Sequence, residues 1–269
     1  MMTQATRNGD AARPRAPLAT AMGGGGGFGI AFHLGITHAG IALDQGPMLG
    51  VSAGAYAAAA LVTDTSVEAI AESWATYNRT RGRGRARTNE ITQPLFGDRR
   101  DARVIGVCTT GRWPIPILLS GAEHALSDVV AAAASPLGLA HGHHVAGRRL
   151  YDAGMCWNTA AHRAPRADLL LVIAALTGDH RGAMAAVWEQ QLRLELRLRH
   201  PTRHRRTAVI RPDADVLRAG ANKLGDLLDI AQAPATYRAA YRQGERLAPG
   251  IAAMQQATDA SVAGFPKSA

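Results

Sequence analysis

Residues 168–176, "DLLLVIAAL", form one continuous apolar run bounded by Pro165 and Gly178. A run with no polar face suits a strand buried on both sides, as in a parallel sheet. Shorter strands are expected at 17–22 ("PLATAM"), 46–51 ("GPMLGV"), 103–110 ("RVIGVCTT") and 206–212 ("RTAVIRP"). Helical patterning lies between them. Ile30, Leu34 and Ile41 share a face in 28–43, strong helix formers fill 53–62, and Ser66 is a cap candidate for a helix over 65–77. A helix over 125–134 should stop at Ser135-Pro136.

The stretch 188–200 is ambiguous, because leucines at 192, 194, 196 and 198 alternate as in a strand. Its residues favour a helix, and a strand would carry many charges into a buried sheet. The helical reading is therefore preferred. Residues 227–247 read as a C-terminal helical region with a break near Pro234. Strands alternating with helices predict an α/β fold with a mainly parallel sheet. The expected organisation is a disordered tail over 1–15 and a single domain over 16–269.

Composition changes this picture little. The chain has 269 residues, 47% hydrophobic but only 5% aromatic, so its core must be built mostly of Ala, Leu, Val and Ile. Two cysteines, Cys108 and Cys156, suggest neither a disulfide framework nor a metal spacing. With no signal-peptide pattern and no long apolar span, a soluble protein of a reducing cytoplasm is expected.

Charge changes it more. The net charge is +9, yet residues 1–80 hold four Arg against five Asp or Glu. The excess sits in 79–87 ("RTRGRGRAR") and 193–206 ("RLELRLRHPTRHRR"). Solvated basic surface is the simpler reading, and attraction to an anionic membrane the functional one. Neither segment has interleaved aromatics or zinc-finger spacing, so nucleic acid is not an expected partner.

Two motifs carry candidate chemistry. Five glycines, 23–27, lead directly into a helix, and Gly24-x-Gly26-x-x-Gly29 fits a dinucleotide fingerprint. The strand before it is short, however, and the nearest acid, Asp44, comes early and beside a glycine. A flexible linker is a second reading. The third is a set of backbone donors for a developing oxyanion, supplied by Gly24, Gly25 and Gly26.

The second motif is Gly50-Val51-Ser52-Ala53-Gly54, at a strand-to-helix junction. That is the context in which Gly-x-Ser-x-Gly holds a nucleophile on a tight elbow. The glycine loop and the elbow would then meet at the carboxyl ends of neighbouring strands. A serine needs a base. The histidines, including His33, His38, His141, His143, His144, His162, His180, His200 and His204, read as surface or loop residues. Asp152 is the better candidate, since it follows a strand-like segment and precedes Ala153-Gly154 in a turn.

Taken together, "GGGGGFGIAFHLG", "GVSAG" and "AAAASP…GRRLYDAGM" followed by "ADLLLVIAAL" resemble the patatin-like phospholipases, in particular bacterial members. The similarity runs from about Gly23 to the C-terminal helix. It implies a three-layer α/β/α fold and a Ser–Asp dyad that hydrolyses carboxylic esters of lipids without a metal or organic cofactor. It assigns the nucleophile to Ser52, the base to Asp152 and the oxyanion donors to Gly24, Gly25 and Gly26. The first motif has Phe28 where Arg or Lys is common in the family, and the third has Ala153 where Gly is common. If position 153 needs a positive φ, Ala153 would strain its loop by roughly 1 kcal/mol. A lipid-binding protein with an impaired site on the same fold is the alternative.

Overall fold

In the computed structural model of the chain, the described residues are 15–41, 43–80, 85–111, 115–178, 183–199, 204–221 and 224–263. Nearly all of the tail expected over 1–15, together with Arg81, Arg83, His180 and His200, lies outside them.

Five strands form the parallel heart of the sheet, in the order β3 (Val104–Thr109), β2 (Met48–Val51), β1 (Ala16–Met22), β7 (Ala167–Ile173) and β8 (His204–Ile210). Beyond β3 the direction reverses. Both β4 (Ile117–Ser120) and β6 (Arg148–Asp152) pair antiparallel with β3, and β5 (His143–Val145) forms a hairpin with β6. The molecule is therefore α/β with a mixed sheet of mostly parallel strands and helices on both faces, consistent with three layers.

Strand alternation assigns each side chain to a layer. In β7, Leu169, Leu171 and Ile173 join one core, while Leu170 and Val172 join the other. The first core is large. Onto it pack α1 (Gly26–His38), α2 (Ala53–Thr63), α3 (Val67–Thr80), α4 (Asn89–Phe96), α5 (Leu126–Ala133), α7 (Ala214–Gly220) and α8 (Ala233–Ala263). The second core is small and rich in alanine. It is covered by α6 (Ala183–Leu198) and the turn at Ala161–Arg163.

The helical reading of 188–200 holds over its described residues, because Leu192 is buried and Leu196 packs inward while Leu194 and Leu198 are exposed. Ser66 does cap α3, accepting the Ala69 N–H at 3.1 Å. Near Pro234 the chain changes from short 3-10 turns to α8, and the proline sits in the first helical turn, where no N–H is needed. Among the described residues no helix is long and apolar enough to cross a membrane.

Candidate active site

β1 and β2 are parallel neighbours, with Met22 beside Gly50. Their carboxyl ends lie together and each feeds a helix at once: β1 through the glycine loop into α1, β2 through Ser52 into α2. This is the expected crevice of a parallel sheet. Ser52 is the N-terminal cap position of α2, at φ 52° and ψ −114°. An L-residue at such angles is strained by about 1–3 kcal/mol. Close packing imposes the flanking glycines: a Cβ on Gly54 would strike the Met22 carbonyl, and one on Gly50 would strike the backbone of Ala55.

Asp152 ends β6 opposite Cys108 of β3, which brings it to the same edge of the sheet. Its side chain faces the Ser52 hydroxyl, which favours the ionised carboxylate, and accepts a hydrogen bond from the Gly154 N–H at 2.6 Å. Burial raises its carboxyl to about 6, and the Ser52 hydroxyl and the Gly154 N–H hold it from going higher. The same buried charge, added to burial itself, pushes the Cys108 thiol up, so that cysteine stays a thiol. Ala153 does not adopt a positive φ, which corrects the expectation of strain there, and its methyl is buried in the smaller core.

The end of α5 registers the two residues against each other. The Ala133 carbonyl accepts the Ser52 N–H at 3.1 Å, and the Ser135 carbonyl accepts the Asp152 N–H at 2.9 Å. The Ser135 hydroxyl in turn donates to the Ala131 carbonyl at 2.7 Å and accepts from the Thr88 hydroxyl at 2.8 Å. In the sequence this segment reads only as a helix stop. Its function lies in backbone carbonyls, which no residue type announces.

The glycine loop divides its labour. Gly23 and Gly24 are tied down, the Gly23 N–H to the Ile173 carbonyl at 2.9 Å and the Gly24 N–H to the Asn158 carbonyl at 3.0 Å. Gly24 therefore has no N–H to spare for an oxyanion, which narrows the expected three donors to two. Gly25 and Gly26 take φ values of 146° and 57°, which glycine alone adopts freely. Their N–H groups stand at the start of α1, where a helix offers no acceptor of its own. A Cβ on Gly24 would lie 3.7 Å from the Ser52 Cβ, so loop and elbow are in close approach.

Gly26 and Ser52 open onto one cavity of ≈ 390 Å³, walled by Ile30, Tyr56, Trp74, Ile91, Leu139 and Ile230. An ester group at Ser52 could thus extend an apolar chain away from water. Phe28 is core, stacked on Phe32 with ring centroids 6.2 Å apart.

The histidines do not join Ser52; among the described residues none hydrogen-bonds to it. Contrary to the surface reading, His33 is fully buried and donates its Nε2–H to the Gly23 carbonyl at 2.8 Å. Burial lowers it to about 4, against a small upward pull from that carbonyl, so it is neutral near pH 7. His204 is also buried and donates to the Pro165 carbonyl at 2.8 Å. His143 pairs with Asp128 at 2.7 Å, a partner its sequence neighbourhood does not show. Among the described residues no group of three or more His, Cys, Asp or Glu side chains is arranged to hold a metal.

Sequence reasoning missed one further residue. Glu195 of α6 is buried, and its carboxylate accepts the backbone N–H groups of Asn158, Thr159 and Ala161 and the Thr159 hydroxyl. Burial pushes its carboxyl up, and these donors hold it back. It lies within a segment that reads as basic solvated surface. The available signal was helical spacing, since position 195 follows Leu192 by three and precedes Leu196 on the inward face. Comparison of the chain with protein-family models finds no match, and comparison with curated proteins finds none either.

Proposed function

We propose that the protein is a serine acyl hydrolase of patatin-like type, cleaving carboxylic esters of lipids through Ser52 and Asp152. The observation that carries this reading is a serine on a strained elbow facing a buried carboxylate, beside the Gly25 and Gly26 N–H groups, which have no acceptor among the described residues. The Ser52 oxygen attacks the ester carbonyl carbon while its proton passes to Asp152. The carbonyl oxygen takes the negative charge and is met by the N–H groups of Gly25 and Gly26. Collapse breaks the ester C–O bond, and the leaving alcohol takes the proton from Asp152. Water then attacks the acyl-enzyme with Asp152 again as base. The fatty acid leaves and Ser52 is restored. None of these steps calls for a metal or organic cofactor.

The nucleotide reading of the glycines loses support from β2. A dinucleotide site of this kind carries an acidic residue at the end of the second strand. Here that strand ends at Val51 and Ser52 follows, while Asp44 lies in the 3-10 turn before the strand, at its opposite end. Labelling tests the reading directly. A fluorophosphonate probe should modify Ser52 in the native protein, and failure to label would remove the activated serine.

Peripheral attachment to an anionic bilayer belongs to the same proposal. The cavity is bordered by Leu139 and Leu228, exposed by 64% and 69%, and by Ala86 of the arginine-rich loop that carries exposed Arg85 and Arg87. Apolar lips beside cations suit a surface of anionic lipid. Each arginine contributes about 1 kcal/mol there, roughly a fivefold change in binding, and salt screens it. Replacing Arg85 and Arg87 together by Gln should weaken sedimentation with phosphatidylglycerol-containing vesicles and slow hydrolysis on them. Turnover of a short soluble ester should stay within about twofold. Equal losses on both substrates would show that the loop serves the site rather than the surface.

A further inference from the structure

Glu195 takes no part in the steps above, yet the fold places a carboxylate beneath the site at 0% exposure. A buried charge costs several kcal/mol unless hydrogen bonds compensate it, and a leucine would pack α6 without that cost. The bonds it accepts follow a path. Thr159 donates its N–H to Glu195 at 3.1 Å, and the carbonyl of that same peptide unit, on Asn158, accepts the Gly24 N–H at 3.0 Å. The carbonyl of the next unit, on Gly23, accepts the His33 Nε2–H at 2.8 Å. In a planar trans peptide the N–H and C=O point in opposite directions. The three hydrogen bonds therefore run head to tail from the imidazole to the carboxylate, through two peptide units.

We propose that Glu195 and His33 are positioning residues, the two ends of one hydrogen-bonded chain that clamps the glycine loop and so aims the N–H groups of Gly25 and Gly26. The role rests on the hydrolase reading. Its physical sense lies in the five glycines. Such a run is the most flexible backbone available, and donors that must reorganise during reaction stabilise an oxyanion poorly. The chain removes that freedom at Gly23 and Gly24, immediately before the two donors. Its bonds share one direction toward a negative charge, so each polarises the next. Glu195 also holds the N–H of Asn158 at 2.5 Å, and Asn158 follows Asp152 by six residues. One carboxylate thus ties the loop behind the base to the loop in front of the nucleophile.

The test uses the full chain and four variants. Glu195→Gln keeps the size but turns an amide toward N–H donors. His33→Leu removes the donor at the other end, His33→Gln can restore one, and Ser52→Ala provides the blank. With a short p-nitrophenyl ester, Glu195→Gln and His33→Leu should each lower kcat by about 10- to 100-fold, with KM within about twofold, because misaimed donors are missed only in the transition state. His33→Gln should recover most of the kcat lost in His33→Leu. Fluorophosphonate titration counts active molecules, so kcat is taken per labelled Ser52. Amide exchange at Gly24, followed by NMR, should speed up in Glu195→Gln and in His33→Leu and revert in His33→Gln.

Folded variants with kcat within about twofold of the native protein, or with unchanged Gly24 exchange, overturn the proposal. A loss that disappears once kcat is counted per labelled serine also overturns it, since that is what a purely structural role does. If Glu195→Gln does not fold, the His33 pair decides by the same readouts. Absence of labelling in the native protein defeats the hydrolase reading alone, and Gly24 exchange still decides whether the clamp exists.

Discussion

Ser52→Ala is expected to abolish ester hydrolysis and fluorophosphonate labelling, a loss of at least about 10³-fold, while the fold survives. The hydroxyl is the one group of the elbow that can form the acyl-enzyme. Its removal leaves the backbone bonds that hold the turn, the Ser52 N–H to the Ala133 carbonyl and the Ser52 carbonyl to the Ala55 N–H. Alanine keeps the Cβ and hence the strain of φ 52°. Glycine does not. Ser52→Gly should therefore be as inactive as Ser52→Ala but more stable, by about 1 kcal/mol or a few degrees in thermal midpoint. A native protein less stable than its own inactive glycine variant would mark the elbow as a place where stability is given up for geometry. Turnover at the native rate in either variant would remove Ser52 as nucleophile.

How much of this was legible in the sequence depended on whether a side chain or the backbone did the work. The buried run before Gly178, the strand ahead of the glycines and the helix behind Ser52 were legible because burial on both faces demands continuous apolar residues. Four elements were not. The helix Asn89–Phe96 contains Pro94 and few apolar residues, and Ala214–Gly220 is two turns long. The strands Ile117–Ser120 and His143–Val145 are short and exist because β3 and β6 offer them backbone partners, which a local pattern does not record. The site divides the same way. That Gly50, Ser52, Gly54 and Asp152 meet at one end of the sheet was legible, because an elbow needs small residues and a proposed base needs a carboxylate. Gly24 was misassigned, since nothing in a glycine says whether its N–H is free, and the sequence does not show the Asn158 carbonyl beside it. Glu195 was hidden by its arginine neighbours, which point outward from the same helix.

Asp152→Asn separates a dyad from a triad and tests the buried carboxylate at once. Asparagine can still accept the Gly154 N–H, but it cannot take a proton from Ser52. The rate should fall by about 10²- to 10⁴-fold, the scale of a lost positioned base. Because burial raises the native carboxyl to about 6, kcat/KM should be flat above that pH and fall roughly tenfold per unit below it. The residual activity of Asp152→Asn should lack this limb. Stability should move oppositely. The folded carboxyl is raised from 3.8 to about 6, so through that window the folded state keeps a proton the unfolded chain has lost. The resulting stabilisation is fully present below the unfolded value and is gone once the pH has risen through about 6. An asparagine is neutral throughout. The variant should therefore melt near the native midpoint at about pH 4 and a few degrees above it at about pH 8. Single replacements of His141, His143, His144 and His162 should leave the soluble-ester rate within about twofold, since none of them reaches Ser52. One of those variants as inactive as Ser52→Ala, or an acid limb that persists in Asp152→Asn at the native rate, would place the base elsewhere.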